Sequence, residues 1–292
     1  MGRSARSATV AAAAGRGQRS GFSRGNWRNR AGSRMLRGMK ILALLVVAPI
    51  CVALAGCAGQ TYRVDAGAMF AKTKGDIALQ NAPGTLVLAD NENNVDSNLG
   101  VGDTEVSPYL RLQSDYELHR FRIHGFGINA EGTGTLVGDY GDLAGGSVVS
   151  SSMDLWAVAA AWAYELERTE DYRFAVGAQL GYYSLDIAAR STAGRESVDT
   201  DLIVPMPYAE GEWFLGPVTL GADLSFMSAD IRDANGIYLD LEAYARWQVS
   251  DEFDVMAGYR FLKLDAFGTA TDRDFDADLS VDGLFLGAGV RF

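Results

Sequence analysis

Leu284-Phe285-Leu286-Gly287-Ala288-Gly289-Val290-Arg291-Phe292 is the stretch that decides the fold. Successive side chains of a strand point to opposite faces. Leu284, Leu286, Ala288, Val290 and Phe292 therefore share one face, and Phe285, Gly287, Gly289 and Arg291 share the other. The first face is an unbroken apolar band, about as long as a tilted strand needs to cross a bilayer. The second face carries a charge and two glycines.

The same period of two runs back through the chain. Ile237, Leu239, Leu241, Ala243, Ala245, Trp247 and Val249 alternate with Tyr238, Asp240, Glu242, Tyr244, Arg246 and Gln248, a regularity that favours a strand strongly. No amphipathic helical stretch competes with it. The pattern predicts about ten strands, near 61–74, 105–114, 118–131, 153–166, 171–187, 203–214, 217–230, 236–249, 252–265 and 278–292. Short connections alternate with longer ones near 75–104, 132–152, 188–202, 231–235 and 266–277. Two places break the pattern. At Gly125-Phe126-Gly127 the phase shifts, which predicts a β-bulge. Pro205 and Pro207 cannot donate to a ladder, which predicts that their strand starts near Tyr208 or has an irregular upper end.

The direction of the faces follows from what they carry. The polar faces hold Arg63, Asp65, Arg111, Arg120, Arg122, His124, Glu210, Glu212, Asp223, Asp240, Glu242, Arg246, Arg260 and Arg291, with Glu105 and Asp254. Both signs sit on neighbouring strands, as a paired lumen requires. An arginine facing lipid at the midplane would cost about 2–4 kcal/mol. Tyr62, Trp162, Tyr164, Trp213, Phe253, Trp247 and Phe292 fall near the short-turn ends, where an aromatic girdle would meet one membrane interface. The expectation is an all-β protein: a closed antiparallel transmembrane β-barrel of about ten strands with both termini periplasmic. Its narrow lumen is expected to be largely filled by ion pairs and Tyr side chains, with little open channel.

Leu284, Leu286, Ala288, Val290 and the closing Phe292 resemble the C-terminal assembly signal of small bacterial outer-membrane β-barrel proteins. That resemblance covers residues 58–292 and identifies no subfamily. It implies an outer-membrane location, outer-membrane lipids and lipopolysaccharide as surroundings, and the barrel-assembly machinery as a partner during biogenesis.

The front of the chain has a different character. Residues 1–57 hold ten basic and no acidic residues, so 58–292 keep sixteen basic against thirty-seven acidic ones, a net of −21. Residues 1–34, rich in Arg, Ala, Gly and Ser, read as an upstream extension or a disordered basic segment; a nucleic-acid arm is the competing reading. Met35 to Lys40 form a basic n-region, and the apolar run Ile41–Ala55 is too short to span as a helix, so 35–57 read as a signal peptide. Leu54-Ala55-Gly56-Cys57 resembles the bacterial lipoprotein box, which implies lipidation of Cys57; ordinary cleavage after Ala58 is the alternative. With Cys51 in the signal peptide, the mature chain has no cysteine pair to form an internal disulfide.

Chemistry-bearing motifs are sparse. The two histidines are His119 and His124. His124, beside Arg120 and Arg122, reads as a member of the lumen network, with a proton-sensing or general-base role as the alternative. Hydrolase elbow, zinc-protease, phosphate-loop and dinucleotide signatures are absent. Ten strands is also the omptin count, but neither histidine maps to an outer rim. Asp90 to Asp96 and the alternating Asp272, Asp274, Asp276 and Asp278 are candidate contacts for divalent cations at acidic loops; Val95 stands where a calcium loop needs glycine. The expectation is a non-enzymatic envelope barrel without cofactor, resident metal or nucleic-acid partner, structural or surface-interacting through 75–104 and 132–152. A narrow solute channel is the alternative, and an omptin-like or lipid A-modifying enzyme a weaker one.

Overall fold

The computed structural model describes residues 60–81, 91–231, 234–270 and 273–292. The segments 1–34 and 35–57, Cys57, Asp90 and Asp272 lie outside the described residues. The described chain is all β, with strands β1 (Gln60–Leu79), β2 (Asn93–Asn94), β3 (Glu105–Tyr116), β4 (His119–Thr135), β5 (Val148–Arg168), β6 (Tyr172–Arg190), β7 (Arg195–Leu215), β8 (Val218–Ile231), β9 (Ala234–Gln248), β10 (Phe253–Ala270) and β11 (Arg273–Arg291). The strands pair antiparallel in sequence order, and β11 returns to pair with β1 from Arg63↔Arg291 to Leu79↔Phe275, closing a ring. Eleven strands replace the expected ten, because the two-residue β2 adds itself to the upper part of β1 at Asp76↔Asn94 and Ile77↔Asn93. The spans expected as loops near 188–202 and 266–277 are largely strand, and β6 and β7 pair without interruption up to Arg190↔Arg195.

The apolar faces point outward around the lower, short-turn part of the ring. Trp213, Trp247, Phe253 and Phe292 are 56–58% exposed, and Leu284 and Leu286 are more than half exposed. On β1 this belt runs from Tyr62 to Phe70, about 26 Å of strand, or roughly 20 Å of height at a tilt near 40°. Opposite those positions Asp65, Arg111, Arg122 and Arg260 are essentially fully buried.

Above the belt the polarity inverts. Outward positions become Lys72, Lys74, Asp154, Asp199, Asp201, Lys263, Asp278 and Asp282, while the inward ones become Ile77, Leu79, Ile128, Met153, Leu155, Ile187, Val198, Leu262, Leu264, Leu279 and Val281. The lower half is polar inside and apolar outside; the upper half is apolar inside, like a soluble barrel. This corrects the expectation of a lumen largely filled by ion pairs, which occupy its lower half. It also removes the bulge expected at Gly125-Phe126-Gly127. The ladder from β4 to β5 runs unbroken from His119↔Tyr164 to Thr135↔Val148, and Arg122, His124, Phe126 and Ile128 all face inward. Phe126 marks where the interior changes from ionic to apolar. The register shift in this region of the wall lies instead between Glu165 and Glu167, on β5 against β6.

The ladders stop short in two places. Between β3 and β4 pairing ends at Tyr109↔Phe126, and the gap above is filled by the segment 91–103. There Val95 N–H donates to Gly75 C=O (2.9 Å), Asn98 Nδ2 donates to Thr135 C=O (3.3 Å), and Val95, Leu99 and Val101 are buried. Tyr140 and Leu143 of the β4–β5 connection are buried in the same apolar core. Between β7 and β8 pairing ends at Tyr208↔Ser225. The prolines do not delay the start of β7, which begins at Arg195; they end its ladder to β8.

Gly100 holds the 91–103 segment against β4. Its φ is +72°, and a Cβ there would collide with the Thr133 backbone. Gly100→Val should cost about 1–3 kcal/mol in backbone strain alone. Limited proteolysis should then cut within 91–104 while the barrel below stays resistant; unchanged resistance of that segment would refute its role as part of the wall.

Candidate functional site: an ion-paired lumen

The lower interior is a polar column. Among the described residues, seven buried arginines (Arg63, Arg111, Arg120, Arg122, Arg173, Arg246 and Arg260) face eight buried carboxylates (Asp65, Glu165, Glu210, Glu212, Asp223, Asp240, Glu242 and Asp254). Alternation puts all of them on inward faces, because the belt claims the outward ones.

The pairs cross the ring rather than following one strand. Near the short-turn end Arg120 on β4 meets Asp115 (2.6 Å) and, across the interior, Glu212 on β7 (3.1 Å). Glu212 also takes Arg173 (2.6 Å) and a hydrogen bond donated by Tyr244 OH (2.6 Å). Arg122 pairs with Glu210 (3.0 Å) and with Asp223, and Tyr208 OH donates to Glu210 (2.8 Å). Arg111 on β3 reaches Glu242 on β9, which also accepts from Tyr109 OH (3.1 Å). Arg246 meets Asp65 (3.3 Å), and Arg63 meets Asp254 (3.1 Å), tying β1 to β9 and β10.

The column ends below the apolar core. Asp240 takes Arg260 (2.7 Å), a bond from Gln179 (3.2 Å) and His124 at 3.6 Å. The Arg260 guanidinium lies 5.0 Å from the centre of the Phe126 ring, and Tyr109 stacks on Phe285 at 4.7 Å. Arg111 and Arg246 both lie over the Tyr244 ring, at 4.7 and 5.1 Å. Cations that are already desolvated gain most from such contacts, up to about 2 kcal/mol.

The expected lumen residues sit in this column, with one difference. Arg291 is only half-buried, at the mouth beside Arg63. Glu165 and the packing roles of Tyr109, Tyr208 and Tyr244 were not singled out by sequence reading. The signal for Glu165 was present, since it shares its face with Ala161 and Ala163. A shallow mouth at the short-turn end is lined by Asp115, His119, Arg120, Glu165, Arg173 and Glu210. His119 lies there outside the lumen, accepting from Trp162 Nε1 at 3.3 Å. Both histidines of the chain are thus in the short-turn half.

The expected girdle residues Tyr62, Trp162, Tyr164, Trp213, Trp247 and Phe292 all lie on outward faces at that end, and Tyr62 stacks on Phe292 at 6.0 Å. Leu284, Leu286, Ala288, Val290 and Phe292 face outward on β11. Of the acidic stretches, Asp96 is 3.5 Å from Lys72, and Asp274, Asp276 and Asp278 are strand residues on the outer face of β11, with Asp278 3.3 Å from Lys263. Among the described residues no three His, Cys, Asp or Glu side chains converge as metal ligands.

No family model matches the chain, and no curated protein sequence does. Solved structures do. The outer membrane protease OmpT from Escherichia coli superposes with a TM-score of 0.57 at 9% identity, over 80% of this chain and 97% of that one. Neisserial surface protein A aligns with a TM-score of 0.34 at 14% identity, over 81% of this chain and 99% of that one. The attachment invasion locus protein Ail from Yersinia pestis aligns with a TM-score of 0.31 at 11% identity, over 81% and 100%. The likeness to OmpT is one of fold: an antiparallel ring of the kind that outer-membrane barrels adopt.

Removing one partner from this column strands a buried charge, which costs about 3–5 kcal/mol. Glu212→Ala should lower unfolding stability by that order, measured by urea titration of the detergent-folded protein. Because Arg173 loses its closest partner in that variant, keeping only Glu210 and Glu165 at 3.6 and 3.8 Å, the pair Glu212→Ala with Arg173→Ala should cost clearly less than the sum of the singles. Additive costs would show that the two side chains are not coupled.

Proposed function

We propose that this chain is an outer-membrane β-barrel of a Gram-negative envelope that performs no catalysis and conducts no solute, and that it serves as a rigid scaffold presenting its upper wall at the cell surface. The observation that carries this reading is the filled interior. Ion pairs occupy the lower half, and an apolar core including Leu99, Tyr140 and Leu143 occupies the upper half. The belt and its aromatic edge support a membrane setting, because exposed apolar surface of this extent has no place in water. Both described ends of the ring lie with the short turns, which under this reading is the periplasmic side. The surface offered to the outside is then acidic strand, with Asp154, Asp199, Asp201 and Asp278 on outward faces. Lipopolysaccharide would surround it, and the barrel-assembly machinery would insert it.

OmpT is a protease by its description, yet the fold alone carries no activity. The placement of both histidines in the short-turn half speaks against an acid–base pair at the opposite rim.

Planar-bilayer recording tests the reading directly. The pure protein should give no steady openings. Arg122→Ala and Glu242→Ala each remove a cross-ring tie in the lower column and should raise baseline current, although the apolar upper core limits the gain. Stable unitary conductance in the unaltered protein would overturn the scaffold reading in favour of a channel. Free solubility without detergent would overturn the membrane reading itself.

A further inference from the structure

Backbone hydrogen bonding on β7 alternates with residue parity. Ser191 N–H donates to Gly194 C=O (2.9 Å), and Phe214 N–H donates to Asp171 C=O (2.7 Å), so even-numbered residues of β7 bond to β6 and odd-numbered ones face β8. The β7–β8 ladder climbs through Trp213↔Leu220, Gly211↔Ala222 and Ala209↔Leu224 and stops at Tyr208↔Ser225. The next odd-numbered residues are Pro207 and Pro205. Neither has an N–H, so each of the two rungs that would continue the wall, toward Phe226 and Ser228, has lost the donor on its β7 side. Above them β7 remains bonded to β6 up to Arg195, and β8 remains bonded to β9 up to Ile231↔Ala234. The ring therefore carries a seam between two strands that are each secured on their other side.

Three observations say what the seam meets. It begins inside the apolar belt: Pro207, Pro205 and Ile203 are outward and exposed on β7, as Phe226 is on β8, with Ile203 at 66% and Phe226 at 49%. Its inner side is apolar, with Val204 and Met206 buried on β7. And among the described residues, the two side chains that pack on the main apolar core while staying partly exposed are Leu202 on β7 and Met227 on β8, one on each edge of the seam. Apolar side chains thus flank the seam on its outer and its inner side. The other ladder break, above Tyr109↔Phe126, is covered by 91–103; among the described strands none pairs with either edge of this one.

The geometry points to a lateral binding groove: the seam between Pro205–Pro207 and Phe226–Ser228 takes an acyl chain of a surrounding lipid, whose end reaches Leu202, Met206 and Met227. The groove rests on the membrane reading above and adds a ligand class to it.

The test uses the full chain reconstituted in liposomes containing a phosphatidylethanolamine with a diazirine at the end of one acyl chain. After illumination, labelled residues are mapped by mass spectrometry. Label should fall on Leu202, Met206 or Met227 as well as on belt residues such as Leu284 and Leu286. The double variant Pro205→Val/Pro207→Val restores two N–H donors, extends the ladder and should lose the interior label while the belt label persists. Belt label without interior label in the unaltered protein overturns the groove and leaves the membrane reading standing. Interior label that survives in the proline variant overturns the seam as the route. Absence of label from the belt overturns the membrane reading, and the groove with it.

Discussion

A backbone N–H or C=O in hydrocarbon finds no water, and under the proposed membrane reading the architecture answers to that cost first. Closing β1 onto β11 pairs the edges that an open sheet would leave bare. Once closure fixes which residues face out, the belt must be apolar and the remaining face must hold whatever polar chemistry the sequence carries. The arginines and carboxylates of the lower column are inside because the alternation leaves them no other dry-wall position. They are tolerable there because each lies against a partner of opposite sign or a tyrosine hydroxyl.

The same logic explains the change of regime above Phe70 and Leu284. Where Lys72, Lys74 and Asp282 stand outward, that reading puts the wall in water, and the hydrophobic effect again favours an apolar interior. One continuous strand such as β6 serves both environments. Val176, Ala178 and Leu180 face out below, and Tyr183, Leu185 and Ile187 face in above. The backbone does not change; the side of the strand that carries the apolar residues does. Arg260 over Phe126 and Tyr109 on Phe285 lie where the two regimes meet, with rings that accept a cation on a face and apolar packing at an edge.

Much of this was legible from the residues. The outward faces, the ionic lumen and the aromatic edge follow from a period of two and the cost of charge in lipid. What was not legible came from assuming a single polarity rule along the whole chain. The shift at Phe126 reads as a slipped phase if the lumen must stay polar, and as a continuous strand once the interior is allowed to turn apolar. The spans 188–202 and 266–277 read as loops for the same reason, since Asp199, Asp201 and Asp276 occupy the side that belongs to grease lower down. Pro205 and Pro207 were correctly seen to break a ladder, but a strand has two edges, and sequence alone does not say which one loses its donors. The register shift at Glu165 and Glu167 carries no glycine to announce it.

The ties of the lower column join distant parts of the chain: Asp65 to Arg246, Arg63 to Asp254, Arg111 to Glu242. A growing sheet that holds only its early strands has none of these partners yet, and its arginines and carboxylates face an unfinished hollow. Neutralisation arrives with the final hairpins, so the order of construction places the electrostatic reward last. Such a ring has little to gain from stopping halfway, and its long-range contacts make spontaneous completion slow. Until the first and last strands meet, that hollow stays stable only while water reaches its unpaired charges.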